Sequence, residues 1–207
     1  MDDASADLAS AAKTFVDNIK AGDEVEVIAF SDSYRVVATF SSDKQIIKAG
    51  IDNFYDGGCT ALYDSIYKAI SDMKQYSKNG AKSIVAMTDG QNNRGTKSID
   101  DVITFAKSEG IPIFTVGLGS SIQDTELKRI ANETNAGKSD SGYYYAPTST
   151  QLQDLYSNIS KTIQNVYRIT WKSSGQTGNN VDVNIGVTYT AALGKFTDSF
   201  NLKYFVP

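Results

Sequence analysis

From Val25 to Ile163 short apolar runs alternate with stretches of helical periodicity, and this alternation restricts the fold more than any other feature of the 207 residues. Ile84–Met87, Ile113–Leu118 and Tyr143–Tyr145 are short and rich in β-branched or aromatic residues, as strands are. Between and after them, Leu62, Ile66, Ala69, Ile70 and Met73, then Ile99, Val102, Ile103 and Ala106, then Leu127, Ile130 and Ala131, and last Leu152, Leu155, Ile159 and Ile163, recur at helical spacing. Single helices between short buried strands predict a doubly wound α/β fold with a mainly parallel sheet covered on both faces.

The segments around this repeat are of other kinds. Leu8, Ala12, Phe15 and Ile19 share one helical face ahead of Gly22, so the chain opens with an amphipathic helix. Val25–Phe30 and Tyr34–Phe40, parted by Ser31-Asp32-Ser33, predict a hairpin, and a short helix follows around Ile46 to Ile51. After Tyr167, Val181, Val183, Ile185, Val187 and Tyr189 alternate with polar residues or glycine, as do Phe200, Leu202, Tyr204 and Val206. The tail therefore predicts an antiparallel β appendage. Three strands are expected, because two alone are marginal in water, and Trp171 is expected to cover its junction with the rest. The organisation is a domain over residues 1–168 and an appendage over 169–207.

Composition excludes several functions. With 24 acidic against 20 basic residues and no Lys/Arg-rich run, nothing offers a field for nucleic acid or an anionic membrane. Histidine is absent, which removes Ser-His-Asp and Cys-His nucleophiles and every zinc site that relies on imidazole. Cys59 is the only cysteine and cannot form an internal disulfide. With no histidine to activate its thiol, it reads as a small residue in a tight loop. No apolar run is long enough to span a bilayer, and the first residues lack the pattern of a signal peptide. No catalytic residue is assigned: Asp56, Asp64 and Asp89 could serve as acid and base, but no nucleophile or cofactor loop accompanies them.

Three segments carry chemical interest. In Asp56-Gly57-Gly58-Cys59-Thr60-Ala61-Leu62-Tyr63-Asp64 paired glycines permit a tight turn, and Thr60 precedes a helix, where it could equally be an N-cap. In Ser83-Ile84-Val85-Ala86-Met87-Thr88-Asp89-Gly90-Gln91-Asn92-Asn93 an apolar strand runs into Asp89, the place where open α/β sheets bind ligands, although Asp-Gly is also an ordinary turn. Thr115-Val116-Gly117-Leu118-Gly119-Ser120 has the look of a dinucleotide loop, but Ile122 stands where the third glycine should be, so a nucleotide site is discounted.

In order and spacing these segments resemble the von Willebrand factor type A family over about Met1 to Arg168. Ala21-Gly22-Asp23 with Val25–Phe30 is similar to its second strand and preceding turn, Gly57–Asp64 to its threonine loop, Met87–Gly90 to its aspartate loop, and Thr115–Gly119 to its fifth strand. The resemblance implies a six-stranded, mainly parallel sheet with one antiparallel edge and a metal-ion-dependent adhesion site at its top. That site uses a D-x-S-x-S loop after the first strand, a threonine and an aspartate, of which Thr60 and Asp89 match the last two. Mg²⁺, or Mn²⁺ or Ca²⁺ in its place, is the implied cofactor, and a partner protein's Asp or Glu is the implied ligand. Gly57, Gly58, Cys59, Gly90, Gln91 and Asn92 would line the partner surface.

One departure is large. By its distance from Phe15 and the Gly22-Asp23 turn, Met1 aligns just after the D-x-S-x-S loop, so the first strand and its three ligands are missing. Asp3-Ala4-Ser5-Ala6-Asp7 repeats the letters, but no apolar strand precedes it. Cation binding is therefore expected to be weak or absent. The implied function is a non-enzymatic adhesion module from a larger bacterial-type surface or secreted protein. The alternative is an assembly subunit completed by a β-strand from another chain.

Overall fold

A computed structural model describes residues 2–53, 58–76, 81–118, 122, 124–134, 142–146, 151, 155, 159, 180–191 and 194–205. It divides into two compact units, Met1–Tyr167 and Arg168–Pro207. In the first unit the order is α1 (Asp2–Asn18), β1 (Val25–Phe30), β2 (Tyr34–Ser41), α2 (Lys44–Asp52), α3 (Leu62–Tyr76), β3 (Ile84–Thr88), α4 (Ile99–Glu109), β4 (Ile113–Leu118), α5 (Thr125–Thr134) and β5 (Tyr143–Ala146). Gln151, Leu155 and Ile159 are helical, which agrees with the last predicted helix; its other residues lie outside those described.

β3, β4 and β5 form a parallel sheet in that order, with Val85 beside Phe114 and Val116 beside Tyr144. Alternate residues of each strand point to opposite faces, and here both faces are apolar. Ile84, Ala86 and Ile113 join Ile66, Ile70, Val102, Ala106 and Ile130 from α3, α4 and α5. Phe114 and Val116 join Ala11 of α1 and Ile159, with Val85 and Met87 packed against them. Burying each of the Ile, Val and Phe side chains among them contributes roughly 1.5 to 3 kcal/mol, so two covered faces are what hold the short strands in place. The helix ends are set locally. Ser98 and Asp101 form a reciprocal capping box at the start of α4, and Gly110 ends that helix in the left-handed conformation at φ 63°.

β1 and β2 form a separate antiparallel pair, with Phe30 opposite Tyr34. Val25 and Val27 face α1 and α2 through Val16, Ile47 and Ile51, while Phe30, on the other face, packs into the cluster of Leu62, Ile66 and Ile84. Phe15 of α1 touches both the hairpin's cluster and that of the parallel sheet. α1 and α3 thus straddle the two sheets on opposite faces. Among the described residues no strand joins β1 to β3: one edge of β1 pairs with β2, and β3 is the outer strand of its own sheet. The single six-stranded sheet implied by the resemblance is here two pieces of two and three strands, because no described segment lies at its centre.

The second unit contains β6 (Asn180–Ala191) and β7 (Gly194–Phe205), paired antiparallel from Asn180 opposite Phe205 to Ala191 opposite Gly194. Its expected third strand and Trp171 lie outside the described residues.

Candidate functional site

β3 ends at Thr88, whose buried hydroxyl shapes the turn beyond it. It accepts a hydrogen bond from the Gly90 amide at 3.1 Å and donates to the Gly90 carbonyl at 2.9 Å. Asp89 is exposed at the carboxyl end of the strand. The chain from Asn92 to Lys97 then folds back over the start of α3.

The threonine loop is held to this segment through its backbone. The Thr60 amide donates to Asn93 Oδ1 at 2.7 Å, and the Asn93 and Arg94 amides both donate to the Thr60 carbonyl, at 3.1 and 3.2 Å. α3 begins at Leu62, so Thr60 stands one residue ahead of the cap position, and the N-cap alternative does not describe its place. The first amides of a helix lack partners within it. Asn92 Oδ1 accepts from the Tyr63 amide at 3.1 Å, and Asp64 completes the joint: its Oδ1 accepts from the Thr96 and Lys97 amides at 2.9 and 2.7 Å. With its backbone engaged on both sides, Thr60 has its hydroxyl left to present. That hydroxyl lies against Gly90, where a Cβ would stand 3.2 Å from Thr60 Oγ1.

A third loop joins from β1. The Ala61 amide donates to the Ser31 carbonyl at 2.8 Å, and the Cys59 amide to Asp32 Oδ1 at 2.8 Å. Gly58 has φ +101°, and a Cβ there would fall 2.7 Å from Asp32 Oδ2, so conformation and space both require glycine. The Cys59 amide, and then its thiol, hold the Asp32 carboxyl below the usual carboxylate range, with Arg94 adding to the effect. Cys59 is half-buried and forms no disulfide.

Of the residues singled out from sequence, the structure brings Thr60 and Asp89 to neighbouring loops through Gly90. Gly58 and Gln91 are exposed beside them, Asn92 has its side-chain oxygen committed to α3, and Gly57 and Asp56 lie outside the described residues. Asp64 is occupied by the Thr96 and Lys97 backbone amides. Asp3, Ala4, Ser5, Ala6 and Asp7 all lie within α1, so the D-x-S letters there belong to a helix. Sequence reading missed Asp32 and Asn93, which join loops distant in the chain and leave no periodic signal.

A Mg²⁺ ion takes about six oxygens and sheds water reluctantly, whereas Thr60 and Asp89 bring one hydroxyl and one carboxylate. The nearby Asp32 and Asp64 carboxylates already accept from backbone amides. Among the described residues no group of three or more Asp, Glu, His or Cys side chains is gathered to hold a metal. By themselves these residues do not fit the ion.

The family model described as the von Willebrand factor type A domain matches residues 5–158. The chain belongs to this family. Among curated relatives, the inter-alpha-trypsin inhibitor heavy chain H2 of Mus musculus is 23% identical over 206 residues, covering 91% of this chain and 22% of its own length. The chain thus spans about a fifth of that relative. A von Willebrand factor type A structure from Catenulispora acidiphila is 13% identical, with a TM-score of 0.69 over 97% of this chain and 62% of its own. Proximal thread matrix protein 1 from the mussel byssus, solved with a zinc-occupied MIDAS motif, is 20% identical with a TM-score of 0.63, over 77% of this chain and 42% of its own. At these identities the solved structures share the von Willebrand factor type A fold, an α/β sheet flanked by helices.

Proposed function

We propose that this chain is a non-enzymatic protein-binding module, and that the surface around Thr60 and Asp89 is where its partner docks. The observation that carries this reading is the way three loops present those two side chains. Asn93, Asp64 and Asp32 spend their polar groups on holding backbone in place, leaving the Thr60 hydroxyl and the exposed Asp89 at the carboxyl end of a parallel strand. The partner is a protein offering an Asp or Glu carboxylate. A divalent cation, Mg²⁺ above all, would join the two sides where further oxygen ligands complete the shell. The zinc-occupied MIDAS motif of the mussel protein supports a metal at the corresponding place in this family fold. The parent protein acts at a cell surface or outside the cell.

The test is capture of surface and secreted proteins of the source organism on immobilised wild-type and Asp89→Ala chains, with Mg²⁺ and with chelator. A protein retained by wild type in Mg²⁺ and lost in both other conditions is expected. Equal retention by Asp89→Ala would contradict the assignment.

A second reading rests on β1 and β3, between which no strand lies among the described residues. Unsatisfied backbone groups cost about 1 to 3 kcal/mol each when buried, so the edges of β1 and β3 that lack a paired strand among the described residues, flanked by α1 and α3, favour addition of a β-strand between them. On this reading the chain is an assembly subunit that accepts a strand from a neighbour.

A further inference from the structure

Arg94 stands on the loop that grips Thr60, with its backbone fixed and its side chain out in solvent. Its amide donates to the Thr60 carbonyl at 3.2 Å. The next residue, Gly95, lies so close to the Asp64 carboxylate that a Cβ there would fall 2.7 Å from its Cγ and Oδ1, and the Thr96 amide donates to Asp64 Oδ1 at 2.9 Å. A residue seated between two such contacts has little backbone freedom left to lose on binding. The guanidinium is less committed. The Arg94 side chain is 60% exposed, and among the described residues its charged contact is Asp32, with Nε 4.0 Å from Oδ1. That separation is beyond hydrogen-bond reach, and the same Oδ1 already accepts from the Cys59 amide at 2.8 Å. The planar fork of N–H donors is therefore open to a ligand.

The charges around it narrow what that ligand is. Three loops meet at Thr60, and of their carboxylates Asp32 and Asp64 are taken by backbone amides while Asp89 is exposed. Lys97 lays its ammonium over the Tyr67 ring, 4.2 Å from the centroid. Arg35, beyond the hairpin turn, donates to the Asn53 carbonyl at 2.6 Å. Among the described residues of these loops, Arg94 is thus the cation left to the solvent. A guanidinium matches planar or multidentate anions, which in a protein partner are carboxylates or phosphates. A phosphate carries nearly two charges and would meet Asp32 and Asp89 with a single cation to offset them. The single charge of a carboxylate is the better match.

We propose that Arg94 selects the partner by taking a carboxylate of an acidic segment directly, with no cation between. Given the docking surface around Thr60 and Asp89, on which this assignment rests, that carboxylate is a second one beside the group a cation would hold there. The partner's segment is then acidic at more than one residue, and part of its hold on this chain survives removal of divalent ions.

The experiment uses the full chain with a chelator present and two capped peptides as probes, one of alternating Glu and Gly and one with Gln in place of each Glu. In an NMR titration at low salt, the Arg94 Nε–Hε signal is expected to shift saturably with the Glu peptide and not with the Gln peptide, and the shift should weaken as salt is added. Arg94→Gln should weaken binding of the Glu peptide severalfold, and Arg94→Lys, which keeps the charge but not the fork, should fall between. Both variants should keep the wild-type Tm, since an exposed ion pair of this kind holds little. Movement of the Thr60 and Gly90 amides in the same titration reports on the docking surface: Arg94 shifting without them keeps the carboxylate site and removes the docking reading. A lower Tm with unchanged peptide binding in Arg94→Gln, no saturable shift at Arg94, or tighter binding of inorganic phosphate than of the Glu peptide would overturn the proposal.

Discussion

Asn93 grips Thr60 from both sides of its peptide: the asparagine side chain accepts from the Thr60 amide at 2.7 Å, and its own amide donates to the Thr60 carbonyl at 3.1 Å. Residues 33 apart in sequence are thereby fixed to each other before any ligand arrives. Replacing Asn93 with Ala removes the acceptor and leaves the Thr60 amide to water. A loss of about 0.5 to 1.5 kcal/mol is expected in urea denaturation, with faster exchange of the Thr60 amide. Unchanged exchange at Thr60 would show that the clamp does not matter.

Asp64 carries more of the joint than Asn93, since it accepts from two backbone amides and sits in the first turn of α3. Asp64→Ala is expected to cost about 1 to 3 kcal/mol, as removal of a charged acceptor does. Asp64→Asn retains one acceptor oxygen and should cost less. Equal effects of the two variants would argue against the amide contacts.

Much of this was legible in sequence, for a physical reason. Ile84, Val85 and Ile113, Phe114 are apolar in succession because both faces of their strands are covered, and Ile66 with Ile70 repeat at helical spacing because one face of α3 is buried. Thr60 and Asp89 are singled out in sequence by their settings, a double glycine before a helix and an acid at a strand end. Asp32, Asn93 and the buried Asp72 are not, because their meaning lies in which side chains or backbone groups they meet in the fold. An acid in an amphipathic helix, as Asp72 is, ordinarily marks the solvent side.

Acid should open the third loop last. Asp32 is held below the usual carboxylate range by Cys59, so its contribution is present above its unfolded value and is lost only as pH falls through the lower folded value. In a carboxyl NMR titration Asp32 is expected to remain ionised when most aspartates have protonated. Protonation together with the others would contradict the contact with Cys59.

Glycine at position 58 is expected to be irreplaceable. Gly58→Ala meets both a φ of +101° and the Asp32 carboxylate, and strain of this kind costs about 1 to 3 kcal/mol. Gly90→Ala meets only Thr60 Oγ1 at 3.2 Å and should be the milder change in thermal denaturation. The reverse order would place the tight approach elsewhere.

The most direct measurement is a calorimetric Mg²⁺ titration of two proteins, the 207-residue chain and the same chain joined behind an apolar strand that ends in D-x-S-x-S. If Thr60 and Asp89 are part of a cation-dependent docking site that needs those further oxygens, the chain alone gives no saturable heat. The joined protein gives one site per molecule, lost on Asp89→Ala. A tight stoichiometric site in the chain alone, or none in the joined protein, would contradict it.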